Sequence, residues 1–513
     1  MNPKSYRLNR PPKKTTTSPP GSSSALIKDQ QPKTLGYYLK SNYRFLFPYL
    51  VVLICVSSFL FVYAPPSNLL REVATSDENI PLIIVKEENS VTTSFCPALI
   101  DGKVNITAEE KDGEHVGMLC CDRSHHRTDV CYMEGDIRTD VAKSASIFLY
   151  NNISDQNHHV YEEKIRPYTR KWETSVMSTI DELTLVSVTN SSTSTDNDGM
   201  KCDVRHKVPA VVLSTGGYTG NLYHDFNDGL IPLYLTTERF KGEVVLLVLE
   251  YHSWWMSRYN SVVKKLSNHK IVNLGSDRRV HCFPTMIVGM KIHDELSIDS
   301  RLVPDGKGIQ NFQALLHESF AGDKTTSTDR EPHHRKRPKL TIFIRKGSRV
   351  LLNLQQLIKK SRSIGFQVGI LNPKRTTPLS EIHSVLSTSD VMIAVHGAAM
   401  THFMLVKPGS TLIQIVPLGL NWAADEYYGQ PARKLGLEYV EYRVGPSESS
   451  LSKEYGLNHP VVTDPSSITS KGWEETKRIY LSHQNVTLDV RRFGKVIRRV
   501  YSNYLHRTNK KHH

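Results

Sequence analysis

Three stretches of this 513-residue chain carry residue types and spacings that could do chemistry. In VMIAVHGAAMTHFM (391–404) a buried-strand pattern ends at His396, and Gly397, Ala398 and Ala399 open a helix, with Thr401 following. Free N–H groups at a helix start, with the dipole behind them, make an anion site. The small side chains would let a phosphate reach the backbone; ordinary tight strand–helix packing would use the same residues. In FIRKGSRVLLN (343–353) Arg345 and Lys346 sit where a strand ends and Arg349 opens a helix. Arginine suits bidentate phosphate binding, and surface charge is the plainer reading. In GGYTGNLYHDFNDGLIPLY (216–234) glycines are followed by His224, Asp225, Asn227 and Asp228. His224 and Asp228, four apart, share a helix face. Such a pair could take a proton or merely cap and solvate a helix.

Other chemistries find less support. No Gly-x-Ser-x-Gly elbow points to nucleophilic hydrolysis. The one Asp-x-Asp triplet, Asp196–Asn197–Asp198, lies in a Ser/Thr/Asn loop rather than at a strand end, so no catalytic metal is expected there. No Cys-x-x-Cys pair has a matching His or Cys pair, which disfavours structural zinc. Trp254 and Trp255 could stack on sugar rings or fill a core.

Strand–helix alternation must position these residues. AVVLST (210–215), VVLLVLE (244–250) and KIVNL (270–274) are short, β-branched and continuous, as in strands covered on both faces. Helical stretches fall near 222–238 and 257–267. Residues 321–339 are polar and basic and mark a boundary; their His/Arg/Lys cluster at 333–338 reads as a solvated linker. A second series follows: strands at 340–345, 366–371, 391–396, 411–417 and 437–444, with helices at 350–365, 378–389 and 397–407. The pattern predicts an α/β fold of two Rossmann-like domains, 95–320 and 340–505, facing a cleft.

The N-terminus points to a membrane. FLFPYLVVLICVSSFLFVYA (45–64) is an uncharged run of twenty residues, enough to cross a ~30 Å hydrocarbon core. Lys33, Lys40 and Arg44 precede it, predicting a single-pass anchor with a cytoplasmic N-terminus and a translocated body. Residues 1–44 read as a disordered tail and 65–94 as a stem. Of the net charge of +14, residues 1–44 contribute +8 and residues 491–513 another +8, so the body between is nearly neutral. Basic ends on a translocated body argue against a nucleic-acid partner. Sequons at Asn105, Asn152, Asn190 and Asn485 all follow the anchor. So do Cys96, Cys120, Cys121, Cys131, Cys202 and Cys282, which permit three disulfides, although adjacent Cys120 and Cys121 are not expected to pair together.

Together these blocks resemble the family 61 glycosyltransferases, and most closely the plant branch that acts in the Golgi on xylan. The resemblance rests on CDRSHHRTDVCYMEGDIR (121–138), GGYTGNLYHDFNDGLIPLYLT (216–236), VHCFP (280–284), VHGAAMTHFMLVKPGSTLIQIVP (395–417) and NWAADEYYGQPARKLGLEYVEY (421–442). It implies a GT-B architecture, inversion at the anomeric carbon, and no cofactor or essential metal. The family's His-x-Phe-x-x-Asp pattern falls on His224, Phe226 and Asp228, and its His-Gly-Ala pattern on His396, Gly397 and Ala398. The implied donor is a UDP-pentose, arabinofuranose or xylose, held in the second domain by Arg345, Lys346, Arg349, His396–Ala399, Thr401 and Gln414. Gln414 stands where some relatives have Glu, and Ile344 where many have a small polar residue. The implied acceptor is xylan, with Asn221, Trp254 and Trp255 as contacts and Asp228 or His224 as the base. The implied setting is the Golgi lumen, in complexes with other xylan-synthesis enzymes. Transfer of β1,2-xylose to N-glycans and a non-catalytic, transferase-like scaffold are the competing readings.

Overall fold

The structure, a computed structural model, describes residues 117–140, 145–151, 160–189, 200–321 and 337–510, all within one compact unit. The apolar run 45–64 with its tail and stem, Cys96, Asn105, Asn152, Asn190, the Asp196–Asp198 triplet and most of the 321–339 boundary lie outside the described residues. Among the described residues no helix is long and apolar enough to cross a membrane.

The N-terminal half builds one mixed sheet from β1 (Met118–Asp122), β2 (Val130–Asp140), β3 (Ser146–Asn151), β4 (Tyr161–Ile165), β5 (Leu183–Thr189), β6 (Val204–Arg205), β7 (Ala210–Ser214), β8 (Val245–Leu249), β9 (Val272–Asn273) and β10 (His281–Val288). Its order is β4-β5-β3-β2-β10-β7-β8-β9, with β1 on β2 and β6 on β10. Strands β3 with β5 and β6 with β10 pair in parallel, and the β10-β7-β8-β9 portion is a run of parallel strands. There β7 and β8 are buried along their whole length, as continuous β-branched runs demand. Antiparallel β2 joins this core at β10, so the half is more than the Rossmann unit expected from its pattern. The added strands escape a hydrophobic scan because they carry charge: β2 includes Glu134, Asp136 and Arg138, the last two ion-paired on one strand.

Disulfides fasten this extension. Cys121 and Cys131 face each other in the β1–β2 register and are bonded. Cys202 is bonded to Cys282 on β10, and Cys120 is disulfide-bonded as well.

The C-terminal half is a wholly parallel sheet of β11 (Lys339–Phe343), β12 (Gln367–Leu371), β13 (Val391–Val395), β14 (Thr411–Val416) and β15 (Glu438–Arg443), in the order β12-β11-β13-β14-β15. The winding direction reverses between β11 and β13. In open α/β sheets the crevice beyond the strand ends at such a switch point is where ligands bind. Arg345 follows β11 and His396 follows β13, so both lie at it.

One hydrophobic core runs through both halves, joining Phe226, Trp255 and Phe312 to Met400, Phe403 and Tyr428. The helix Ile309–Phe320 lies in this layer. From it Gln313 Nε2 donates to the carbonyls of Met404 (3.3 Å) and Val406 (3.0 Å).

Candidate active site

His224 and Asp228 come from a helical stretch that changes register: an α-turn at Leu222–His224, a π-helical segment at Asp225–Leu230, then α-helix at Ile231–Thr237. Short π segments recur at functional sites. Asn221 caps this stretch, its side chain accepting from the Tyr223 amide. The expected acceptor contact at Asn221 is thus occupied, on its carbonyl side, by the helix itself. Asp225 is fully engaged too, accepting from Gly220 N, Trp255 Nε1 (3.1 Å) and the Tyr259 hydroxyl (2.8 Å). It anchors the helix, and Trp255, 2% exposed, belongs to the core. Trp254 is half exposed and packs beside Gly220.

His224 Nδ1 donates to Asp228 Oδ2 at 2.6 Å, as the four-residue spacing predicts. The Asp228 carboxylate is buried and crowded with donors. Arg170 Nη1 lies 3.2 Å from Oδ2, Asn227 Nδ2 donates to Oδ1 at 2.8 Å, and Arg127 Nη2 stands 3.9 Å away. These arginines are themselves matched. Arg170 pairs with Glu173. Arg127 pairs with Glu295 at 2.9 Å, whose other oxygen accepts from the Tyr223 hydroxyl. Burial alone would lower the Arg170 pKa, but the charges of Asp228, Glu173 and Glu295 prevail and raise it. Trp172 lies under both guanidiniums, 5.0 Å from Arg127 and 4.7 Å from Arg170. The His224 side chain keeps 15% exposure against 1% for Asp228. The carboxylate therefore fixes the ring with its proton on Nδ1, which leaves Nε2 as the basic nitrogen.

The second cluster has the opposite character. Arg345 and Arg349 follow β11, and Arg349 is only 9% exposed. Among the described residues neither has a carboxylate within ion-pairing distance, and Arg349 Nε is buried with no hydrogen-bond partner. Burial, then repulsion from Arg345, presses the Arg349 pKa down to about 9. Both still carry full charge at neutral pH. The backbone of Arg349 is left-handed at φ 55°, a conformation costly for a non-glycine residue.

Gly397 ends the strand turn at φ 144°, and the Arg345 guanidinium lies against its Cα. A Cβ there would come 2.2 Å from Arg345 Nη1, so any other residue would strain this backbone and push the guanidinium away. The turn that follows, Ala398–Leu405, is a 3₁₀ helix rather than the α-helix expected. His396 is buried, and burial followed by the Arg349 and Arg345 charges holds its pKa down to about 3. Gln414 Nε2 lies 2.9 Å from His396 Nδ1, and Gln414 Oε1 accepts from the Tyr439 hydroxyl. Gln414 donates to Nδ1, so the neutral ring carries its proton on Nε2. Gln414 is fully buried and both ends of its amide are engaged; it orients His396. Thr401, also fully buried, lies by the Tyr428 hydroxyl, near both arginines. Lys346 is exposed.

The two clusters share a wall. The Leu222–His224 turn packs on the Ala398–Leu405 turn. Tyr223 meets His224 edge-on at 5.2 Å and stands 5.5 Å from Tyr427 and 6.1 Å from Tyr428. Tyr428 in turn lies 5.4 Å from His396. A proton acceptor and an anion-ready pair of arginines thus sit on either side of a tyrosine partition. Sequence reasoning singled out His224, Asp228, Arg345, Arg349 and His396. It did not single out Arg127, Arg170, Glu173, Glu295, Tyr223 or Tyr428, although Arg127, Tyr223 and Tyr428 lie within the motif blocks. Among the described residues the one Cys/Asp group with metal-like spacing, Asp136 with Cys202 and Cys282, uses both thiols in a disulfide. Asn485, the one expected glycosylation site among the described residues, is half-buried, and its Oδ1 accepts from the Val350 amide.

The family model "Glycosyltransferase 61" matches residues 243–413. A xylan glycosyltransferase of Arabidopsis thaliana is 48% identical over 75% of this chain and 79% of its own length. A β-1,2-xylosyltransferase of Oryza sativa subsp. japonica is 33% identical over 89% of this chain and 97% of its own. An α-1,3-arabinosyltransferase of the same rice is 34% identical over 77% of this chain and 66% of its own. With this extent of shared sequence, the chain belongs to glycosyltransferase family 61.

Proposed function

We propose that this chain is an inverting glycosyltransferase that moves a pentose, arabinofuranose or xylose, from a UDP-sugar onto xylan during cell-wall synthesis. The named activities of its plant relatives support the substrate classes. The observation that carries the mechanism is the pair of arginines without carboxylate partners among the described residues, half-buried Arg345 and buried Arg349, at a switch point, across the tyrosine wall from His224 and Asp228.

In this reading the halves form a GT-B-like pair, with the acceptor mainly on residues 95–320 and the donor on 340–505. The diphosphate lies against Arg345, Arg349, the N–H groups of Ala398 and Ala399 and the neutral His396 Nε2–H. The acceptor hydroxyl attacks the anomeric carbon from the face opposite UDP. Its proton passes to His224 Nε2 while Asp228 stabilises the imidazolium formed. The C–O bond to the β-phosphate breaks with its electron pair on UDP. The fixed cations and N–H donors meet that charge without needing a metal. Asp228 is less suited as the direct base, because it is buried and both its oxygens already face donors from His224, Arg170 and Asn227. The reading also keeps the type II Golgi anchor at 45–64, the lumenal body and its glycosylation, and assembly with other xylan-synthesis enzymes.

The test is to incubate the detergent-solubilised full chain with UDP-arabinofuranose or UDP-xylose and xylo-oligosaccharides, with and without EDTA, and weigh the products. A mass gain of one pentose that survives chelation is expected. No transfer from either donor would sink the assignment. Activity abolished by EDTA and restored by manganese would sink its metal-free step.

A further inference from the structure

Four of the five tryptophans in this chain are 45–50% exposed: Trp172, Trp254, Trp422 and Trp473. Tryptophan is ordinarily among the most buried residues, so each exposed ring calls for a reason. Trp172 has one in the arginines stacked on it, and Trp254 lies flat on His252 at 5.8 Å. Among the described residues the ring partners of Trp422 and Trp473 are each other, at 6.0 Å and 71°, and Tyr427, which stands 5.7 Å from Trp422. Neither belongs to a motif assigned a role above.

Their location is specific. Tyr427 links Trp422 to Tyr223 and so to His224. From the other end, the charge of Glu474, next to Trp473, helps raise the pKa of Tyr218, after burial and Glu173. Tyr218 is itself 40% exposed and stacks 4.5 Å from the His224 ring. A chain of ring contacts therefore runs from exposed Trp473 and Trp422 through half-buried Tyr427 and buried Tyr223 to His224. Hydrogen-bonding side chains neighbour these rings in sequence: exposed Asn421 beside Trp422, exposed Glu474 beside Trp473 and half-buried Glu426 beside Tyr427. A protein-docking patch would be contiguous and apolar. Aromatic faces with a polar rim suit a ligand whose rings are apolar on their C–H faces and hydroxylated at their edges.

We infer that Trp422 and Trp473, with Tyr427, form a platform that binds sugar rings of the polysaccharide acceptor beyond the unit that reacts. The inference rests on the acceptor reading above and extends it: part of the acceptor site lies on the donor-binding half, and it selects chain length. The steep angle between the two rings suits a chain whose successive units are rotated about its axis.

The test compares Trp422→Ala, Trp473→Ala and Trp422→Phe in the full chain, using xylobiose and a long xylo-oligosaccharide as acceptors and calorimetry with UDP. Each loss of a ring should raise KM for the long acceptor about three- to tenfold, the worth of one aromatic contact. KM for xylobiose, kcat and UDP affinity should stay within twofold, and Trp422→Phe should recover most of the loss. A long-acceptor KM within twofold of wild type in both alanine variants would overturn the platform. So would an equal loss for both acceptor lengths, or weakened UDP binding. If wild type transfers to neither acceptor while binding UDP, the xylan reading itself fails; intact wild-type transfer with unaffected variants sinks the platform alone.

Discussion

Around Asp228, two arginines are balanced by three carboxylates: Asp228, Glu173 and Glu295. Around His396, Arg345 and Arg349 have no carboxylate in reach among the described residues, although each cluster holds a buried Nε without a hydrogen-bond partner, on Arg127 in the first and Arg349 in the second. Both clusters bury guanidinium groups at strand ends of an α/β core. A closed charge network fixes geometry, and here it sets the His224 tautomer and holds the ring still. An open one leaves charge that an incoming anion must satisfy, since burying an unpaired cation is unfavourable. In the proposed mechanism the fold would thus keep the positioning of the base apart from the capture of the leaving group, with Tyr223 and Tyr428 between them.

Four substitutions and one change of condition probe this comparison at different depths. His224→Gln removes the base while leaving the arginines in place. Turnover should fall by about 10²–10⁴, the contribution of a positioned general base, with UDP affinity near wild type by calorimetry; Asp228→Asn should behave alike if its task is to hold the ring. Arg345→Ala should lower turnover by about 10²–10³ and, unlike His224→Gln, weaken UDP binding. Gly397→Ala drives a Cβ into the Arg345 guanidinium and forces an L residue to φ 144°. UDP binding should drop roughly tenfold or more, with a lowered melting temperature; unchanged UDP binding would show that this close approach is incidental.

The smallest effect is a dependence on acid. Burial holds His396 at about 3 and both His383 and His402 at about 4, below the ordinary 6.5. Below 6.5 the unfolded chain takes protons that the folded chain refuses, so stability is lost as pH falls from about 6.5 toward 4. Melting temperature should decline across that window, and less steeply in His383→Gln, which removes one such group remote from the substrate cleft. A flat profile from pH 7 to 5 would contradict the burial of these rings.

Much of this was legible in the sequence, for identifiable reasons. The inner strands β11, β13 and β14 were readable because both faces of the sheet are covered there, so their residues form nearly continuous apolar runs such as LTIF and VMIAV, whereas the edge strands β12 and β15 stay partly exposed. Strand β4, YEEKI, is mostly exposed and carries three charges, and it gave no such signal. His224 and Asp228 were readable because a helix brings residues four apart together. Arg170 reaches Asp228 across 58 positions and Arg127 reaches Glu295 across 168; no local spacing encodes such contacts. Gln414 illustrates a third limit. Its amide could equally meet a ribose hydroxyl, and only the packing shows both ends taken by His396 and Tyr439. The six cysteines that follow residue 64 limit the bridges to three, whereas strand register sets Cys121 opposite Cys131.

The claim that one half carries the base and the other the anion site is tested most directly by titrating UDP, in EDTA, into wild type, His224→Gln and Arg349→Gln. The account predicts equal affinity for wild type and His224→Gln, and at least tenfold weaker binding for Arg349→Gln. UDP binding that survives in Arg349→Gln but is lost in His224→Gln, or that appears in wild type only when manganese is supplied, would contradict it.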